Sequence, residues 1–142
     1  MNEKENTKIV QDMYAAYTRG DVPGILSHMD NSITFTVPGT QANPLAGTRR
    51  GLAAMKQFYA DLASIVDLNV FEPREYIAQG NKVVVLVHYA GTFRSTGRRM
   101  EADSAMVWTL ENGKVVRFQE YTDTEAAANA ARPSGQASGA SR

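Results

Sequence analysis

Moving a proton at neutral pH needs a group that titrates there or a carboxylate whose charge is suppressed by its surroundings. The chain holds few such groups in apolar settings. It has two histidines, His28 and His88. His88 stands inside "VVVLVHYAGTF", Val83–Phe93, with apolar or small residues on both sides. Further on, "FQEYTD" supplies two carboxylates, Glu120 and Asp123. A histidine and a carboxylate sharing one cavity can act as general acid and base on a bound molecule. His88, Asp123 and Glu120 are therefore the candidate catalytic residues. Each also has a structural alternative. His88 can be tied to a carbonyl or a partner subunit, and Glu120 to an arginine. Asp123 can cap "TEAAANAA" as a helix N-terminus.

Tyr14, Tyr17, Tyr59 and Trp108 are aromatic residues whose polar tips can hydrogen-bond a ligand or can simply complete a core. With Phe35, Val37, Met55, Met106 and Phe118 they are the expected lining of a mainly apolar pocket. His28, between Leu26 and Met29, reads as partly exposed. Two distant histidines without HxH or HxxxH spacing, in a chain with no cysteine, make no metal site. No phosphate loop, GxGxxG or GxSxG occurs, so no cofactor is expected. The pairs Arg49-Arg50 and Arg98-Arg99 read as solvated loop charges rather than an anion clamp.

Fifteen basic residues balance fifteen acidic ones. That balance supplies no field for nucleic acid or an anionic membrane. The N-terminus "MNEKENTK" is polar and leads into no signal-type apolar region, and no apolar run reaches the ~20 residues of a membrane span. A cytoplasmic location is the expectation.

The elements that would position the candidates follow from periodicity. "KIVQDMYAAYT", Lys8–Thr18, places Ile9, Met13 and Tyr17 on one helical stripe. Gly20 suits its C-terminal cap, and Asp21 can cap a second helix, "VPGILSHM", with Pro23 in its first turn. "SITFTVPG" alternates as a half-buried strand, "TQANPLAGTRR" reads as a loop, and "GLAAMKQFYADLASIV" as a third helix. Four strands follow: "LNVFEPREYIAQ", "KVVVLVHYAGTFRS", "RMEADSAMVWTL" and "KVVRFQEYTD". The turns "QGN", "STG" and "ENG" between them imply an antiparallel meander. Segregated helices and strands make the fold α+β. Residues 1–7 read as a polar N-terminal segment, 8–125 as the domain, and 126–142 as an Ala/Ser/Gly-rich flexible tail, helical to about Ala131.

At this point the chain resembles a known family. "YAAYTRGDVPGILSHMDNSITFTVPG", "GTRRGLAAMKQFY" and "TGRRMEADSAMVWTLENGKVVRFQEYTDT" look like the SnoaL-like, ketosteroid-isomerase-like branch of the nuclear-transport-factor-2-like superfamily. The likeness runs from Ile9 to Thr124. It implies a cone-shaped, cystatin-like fold: three N-terminal helices on a curved, mainly antiparallel sheet. That fold hosts isomerases, polyketide cyclases, epoxide hydrolases, dehydratases and non-catalytic binding modules. The ketosteroid isomerase constellation falls here on Met13, Val37, and Ala105 or Met106, so that chemistry is not implied. Against the limonene-type epoxide hydrolases, His88 replaces an arginine, Ala90 an aspartate, and Asp123 is kept. Resemblance to the cyclases, which place an acid/base histidine and aspartate in the cone, favours the pair His88 and Asp123. Strand parity favours Glu120, which shares a face with Phe118.

Two functional expectations result. The first is a cofactor-independent acid/base enzyme of isomerase, cyclase, hydratase or epoxide-hydrolase type, acting on a small hydrophobic molecule. The second is a ligand-binding or assembly module of the same fold. Because both faces of "VVVLVHYA" are apolar, one must meet the helices and the other something else. A homodimer through the sheet is the expectation, with His88 either in the cavity or at that interface.

Overall fold

The structure is a computed structural model, and it describes residues 2–133. Helix α1 (Glu3–Thr18) starts well before Lys8. The cause is local. Asn2 Oδ1 accepts from the Glu5 backbone N–H at 2.8 Å, and Glu5 Oε1 accepts from the Asn2 N–H at 2.9 Å. This capping box satisfies two N–H groups that a helix start otherwise leaves open. Residues 3–7, expected as a separate polar segment, are therefore the first turns of a packed helix, and Asn6 is buried. Gly20, at φ 73°, turns the chain out of α1. Asp21 then caps α2 (Val22–Leu26) by accepting from the Gly24 N–H at 2.9 Å. This helix stops short of Met29, where β1 (Met29–Val37) begins.

β1 buries Ile33, Phe35 and Val37 and turns Thr34 and Thr36 outward. The expected loop after it contains a strand, β2 (Gly47–Arg50), antiparallel to β1. Its four residues bury nothing, so no alternation marks it. Helix α3 (Leu52–Ile65) buries Met55 and Phe58. The meander follows as β3 (Val66–Gln79), β4 (Lys82–Phe93), β5 (Arg99–Glu111) and β6 (Lys114–Tyr121). Its turns use Gly80, Gly97, and Asn112 with Gly113, all at positive φ.

The sheet order is β2-β1-β6-β5-β4-β3. Every pairing is antiparallel except β1 with β6, which is parallel. Bulges at Leu68/Val70 and Pro73/Glu75 bend the edge strand β3, which explains how Pro73 is tolerated inside it. The curved sheet wraps the helices and leaves a cavity between. Helix α4 (Thr124–Ala131) packs on β5 and β4, with Ala127, Ala128 and Ala130 buried and the Thr96 hydroxyl donating to the Ala130 carbonyl at 2.6 Å. Residues 126–131 of the expected tail thus belong to the domain; 134–142 lie outside the described residues. Among the described residues no helix is long and apolar enough to cross a membrane.

Beside the first bulge, β3 and β4 approach closely at Gly91. A Cβ there would stand 2.6 Å from the Asp67 carbonyl oxygen and 3.0 Å from Leu68 Cα. Both are backbone atoms and neither can swing away. Gly91→Ala is expected to cost about 1–3 kcal/mol, read as a lower urea midpoint at unchanged slope.

Candidate functional site

The cavity is built from the sheet's inner face, and β4 decides which face that is. Val83, Val85, Val87 and Tyr89 are buried, while Val84, Leu86 and His88 point away from the helices. On β5 the inward residues are Ala102, Ser104, Met106 and Trp108; on β6 they are Phe118 and Glu120. Helix α1 adds Met13, Tyr14 and Tyr17, and α3 adds Phe58, Tyr59 and Leu62. The volume enclosed is about 140 Å³. Phe35 stacks on Phe118 with ring centroids 4.1 Å apart, and Trp108 stands over Phe118 at 4.5 Å. Of the expected lining, Tyr14, Tyr17, Phe35, Val37, Tyr59, Met106, Trp108 and Phe118 face the cavity. Met55 does not. It is fully buried in the core and lines no part of the cavity.

Among the described residues Glu120 is the one lining side chain of carboxylate, lysine, arginine or histidine type. It is 7% exposed. Its Oε2 accepts from the Tyr89 hydroxyl at 2.9 Å and from the Ser104 hydroxyl at 2.9 Å. The Thr122 hydroxyl in turn meets the Tyr89 oxygen at 2.8 Å, so the chain of donation runs Thr122, Tyr89, Glu120. Burial lifts the Glu120 carboxyl above the usual carboxylate range, and the two hydrogen bonds only partly offset this. Burial also raises the Tyr89 phenol, and neighbouring Glu120 adds to the effect. Tyr89 is therefore a neutral donor.

A second polar point lies deeper. The Trp108 indole N–H donates to the Tyr14 oxygen at 3.0 Å, and the Tyr14 hydroxyl donates to Met106 Sδ at 3.2 Å. Burial keeps the Tyr14 phenol neutral, against the pull of Trp108. A thioether is a weak acceptor, so the Tyr14 proton is held by little.

His88 is not in this cavity. Its parity places it on the outer face, where Nδ1 meets Asp103 at 2.7 Å and Nε2 meets Glu101 at 2.8 Å. The Asp103 bond chiefly raises its pKa; desolvation opposes this, and the Glu101 bond adds to the rise. Asp123 is not in the cavity either. It is exposed and caps α4, accepting from the Ala126 N–H at 3.0 Å. The pairing of His88 with a carboxylate across one cavity is thus corrected: the sheet separates His88 from Glu120, and Asp123 is occupied at a helix end. His28 is partly buried and lines no part of the cavity.

Tyr89, Ser104 and Thr122 are the polar residues that sequence reasoning missed. A signal existed for two of them. Tyr89 shares parity with Val83, Val85 and Val87, and Ser104 with Met106 and Trp108, so choosing the inner face also chooses them.

Three structures resemble this arrangement closely. An NTF2-like protein from Burkholderia xenovorans LB400 is 38% identical, with 93% of this chain and 99% of that one covered and a TM-score of 0.86. One from Burkholderia thailandensis E264 is 30% identical, covering 94% and 100%, at a TM-score of 0.82. TerC, co-crystallized with polyporic acid, is 29% identical, covering 89% and 98%, at a TM-score of 0.80. The family model described as a SnoaL-like domain matches residues 10–118. With its helices, mixed sheet and cone in place, the chain belongs to the SnoaL-like family.

Proposed function

We propose that the chain binds a small, uncharged, oxygen-bearing hydrophobic molecule in the cavity and moves a proton on it with Glu120 as the acid/base. The observation that carries this is the isolation of Glu120. Among the described residues it is the one acidic or basic side chain on the wall, and burial raises its pKa. Because Oε2 already accepts two hydrogen bonds, the proton belongs on Oε1, the oxygen left for a ligand. One carboxyl group with no second base suits reactions that give a proton and take one back: isomerisation, cyclisation, or addition and loss of water. Tyr14 offers the ligand a donor, because an oxygen of the ligand accepts better than Met106 Sδ. The cavity is near the size that holds one aromatic ring, roughly 150 Å³ in an apolar protein interior. The similarity to TerC, crystallised with polyporic acid, supports uptake of a small organic molecule by this fold.

With no cation on the wall among the described residues, a buried anion would go unpaired. By calorimetry, phenol is expected to bind at least about tenfold more tightly than benzoate. Equal or tighter binding of the benzoate would remove the neutral-ligand reading. Mass spectrometry of molecules extracted from the purified protein then supplies the natural scaffold. Binding of that molecule without turnover would assign a binding module instead.

A further inference from the structure

Between Gly39 and Gly47 the loop that joins β1 to β2 lays two side chains into the cavity, Asn43 and Leu45. Gly39, Thr40, Gln41 and Pro44 around them are exposed. Leu45 suits an apolar wall. Asn43 is 8% exposed and polar, and an amide buried among apolar groups is costly unless it finds partners.

The loop itself uses most of Asn43. The Asn43 backbone N–H donates to the Thr40 carbonyl at 3.0 Å, and its carbonyl accepts from the Ala46 N–H at 3.0 Å. Its Oδ1 accepts from the Leu45 N–H at 2.9 Å. Pro44 stands between the two with no N–H of its own, so the side chain reaches one residue further on. That bond fixes the amide's orientation. A backbone N–H needs an acceptor, so Oδ1 faces Leu45 and Nδ2 faces away from it. Among the described residues nothing accepts from Nδ2. Asn43 is thus a fixed donor on the cavity wall with its N–H groups to spare.

Register locates this donor. On the inner face Phe35, Phe118 and Trp108 form one row. Two residues along each strand, the next row holds Val37, Glu120 and Met106. Gly39 and Thr122 begin the row after that. Asn43 packs on Gly39: a Cβ at Gly39 would lie 3.9 Å from Asn43 Cβ and 4.0 Å from its Nδ2. Tyr14, bonded to Trp108 and Met106, stands between the first two rows. Glu120 therefore lies between two donors, Tyr14 on one side and Asn43 on the other. From the first row to the third, four residues of strand span about 13 Å. One hydrogen bond of about 3 Å at each end leaves about 7 Å, the length of a single ring with an oxygen on either side.

We infer that Asn43 is a specificity-determining residue, whose Nδ2 donates to an acceptor oxygen at the end of the ligand remote from Tyr14. This role rests on the binding of a neutral ligand in the cavity, and it narrows the ligand class to a compact ring with oxygens at opposite ends. Both ends are then held, and the middle of the ligand lies against Glu120. A molecule with one oxygen leaves one of the two donors unmatched. Asn43 is a positioning residue and takes no part in the movement of the proton.

4-Hydroxybenzaldehyde and 4-vinylphenol are nearly the same shape, but only the aldehyde carries an acceptor opposite its hydroxyl. Calorimetry is run at about pH 6, where both are neutral. The preference of the parent chain for the aldehyde over 4-vinylphenol is expected to fall by about 3–10-fold in Asn43→Asp and in Asn43→Ser. Each replacement keeps a side-chain oxygen for the Leu45 N–H, and neither supplies an N–H in place of Nδ2. A residue that only closes the loop would leave the preference where it was. The parent chain gives a second measurement that needs no variant. In its proton–nitrogen NMR spectrum the Asn43 side-chain amide protons should move downfield with the aldehyde and not with 4-vinylphenol. An unchanged preference in both variants, or amide protons that respond alike to the two compounds, overturns the role of Asn43 and leaves the cavity reading standing. If neither compound binds the parent chain, the cavity reading fails and the role of Asn43 with it.

Discussion

Glu120→Gln is expected to lower the rate of proton transfer on a bound ligand by about 10²–10⁴-fold while leaving its affinity nearly unchanged. Glutamine keeps a carbonyl oxygen that accepts from Tyr89 and Ser104 and keeps a donor in place of the Oε1 proton. It cannot release that proton. The measurement is deuterium uptake from solvent into the ligand recovered from the protein, with calorimetry run in parallel. Equal exchange rates in parent and variant would exclude Glu120 as the acid/base. The same substitution has a signature in stability. Folding raises the Glu120 pKa, so the folded chain binds more protons than the unfolded one at pH values above the ordinary carboxyl range. Stability from this group is therefore highest at low pH and declines as pH rises through the raised folded value. Glutamine removes that decline. Urea midpoints from about pH 4 to about pH 8 should fall less steeply for the variant than for the parent.

Phe35→Ala is expected to destabilise the fold by about 3–5 kcal/mol. Phe35 is 3% exposed and joins three elements. It stacks on Phe118 of β6, lies 5.0 Å from the Phe58 ring of α3, and meets the Trp108 ring of β5 at 6.4 Å. Removing it opens space beside a cavity that already exists, so the neighbours have little to collapse onto. The loss should appear in the urea midpoint. Trp108, the single tryptophan, reports the change in its surroundings by fluorescence in the same titration. A cost below about 1 kcal/mol would mean that the aromatic cluster is not the main tie between helix and sheet.

Much of this was written in the local pattern of the chain. The alternation of Ile33, Phe35 and Val37 and the shared parity of Phe118 and Glu120 located the inner wall and its acid. The choice that mattered most was not local. On β4, Val83, Val85 and Val87 compete with Val84 and Leu86, and hydropathy does not rank two apolar faces. The face was set by what lay across the cavity: Tyr14 and Tyr17 of α1 and Tyr59 of α3 meet the row that ends in Tyr89. His88 went to the other face with it, and the expected catalytic pair dissolved. Asp123 failed for the opposite reason. Its local role as a helix cap was strong enough to hold it at the surface. The early start of α1 was readable, since Asn2 and Glu5 have capping-box spacing, but an apolar stripe begins only at Ile9 and draws the boundary there. β2 was not readable, because a four-residue exposed strand exists only through its pairing with β1.

The parallel pairing of β1 with β6 has a consequence for synthesis. All other neighbours in the sheet are joined by a short turn or loop, or follow each other along the chain, but these two are separated by most of the domain. As the chain leaves the ribosome, Phe35 emerges with the first strand of the domain and its stacking mate Phe118 with the sixth. Until then β1 has β2 on one side and an open edge on the other, with its aromatic face uncovered. The sheet is thus closed at its middle, by the last of its strands, and the nascent domain stays incomplete until β6 has been made.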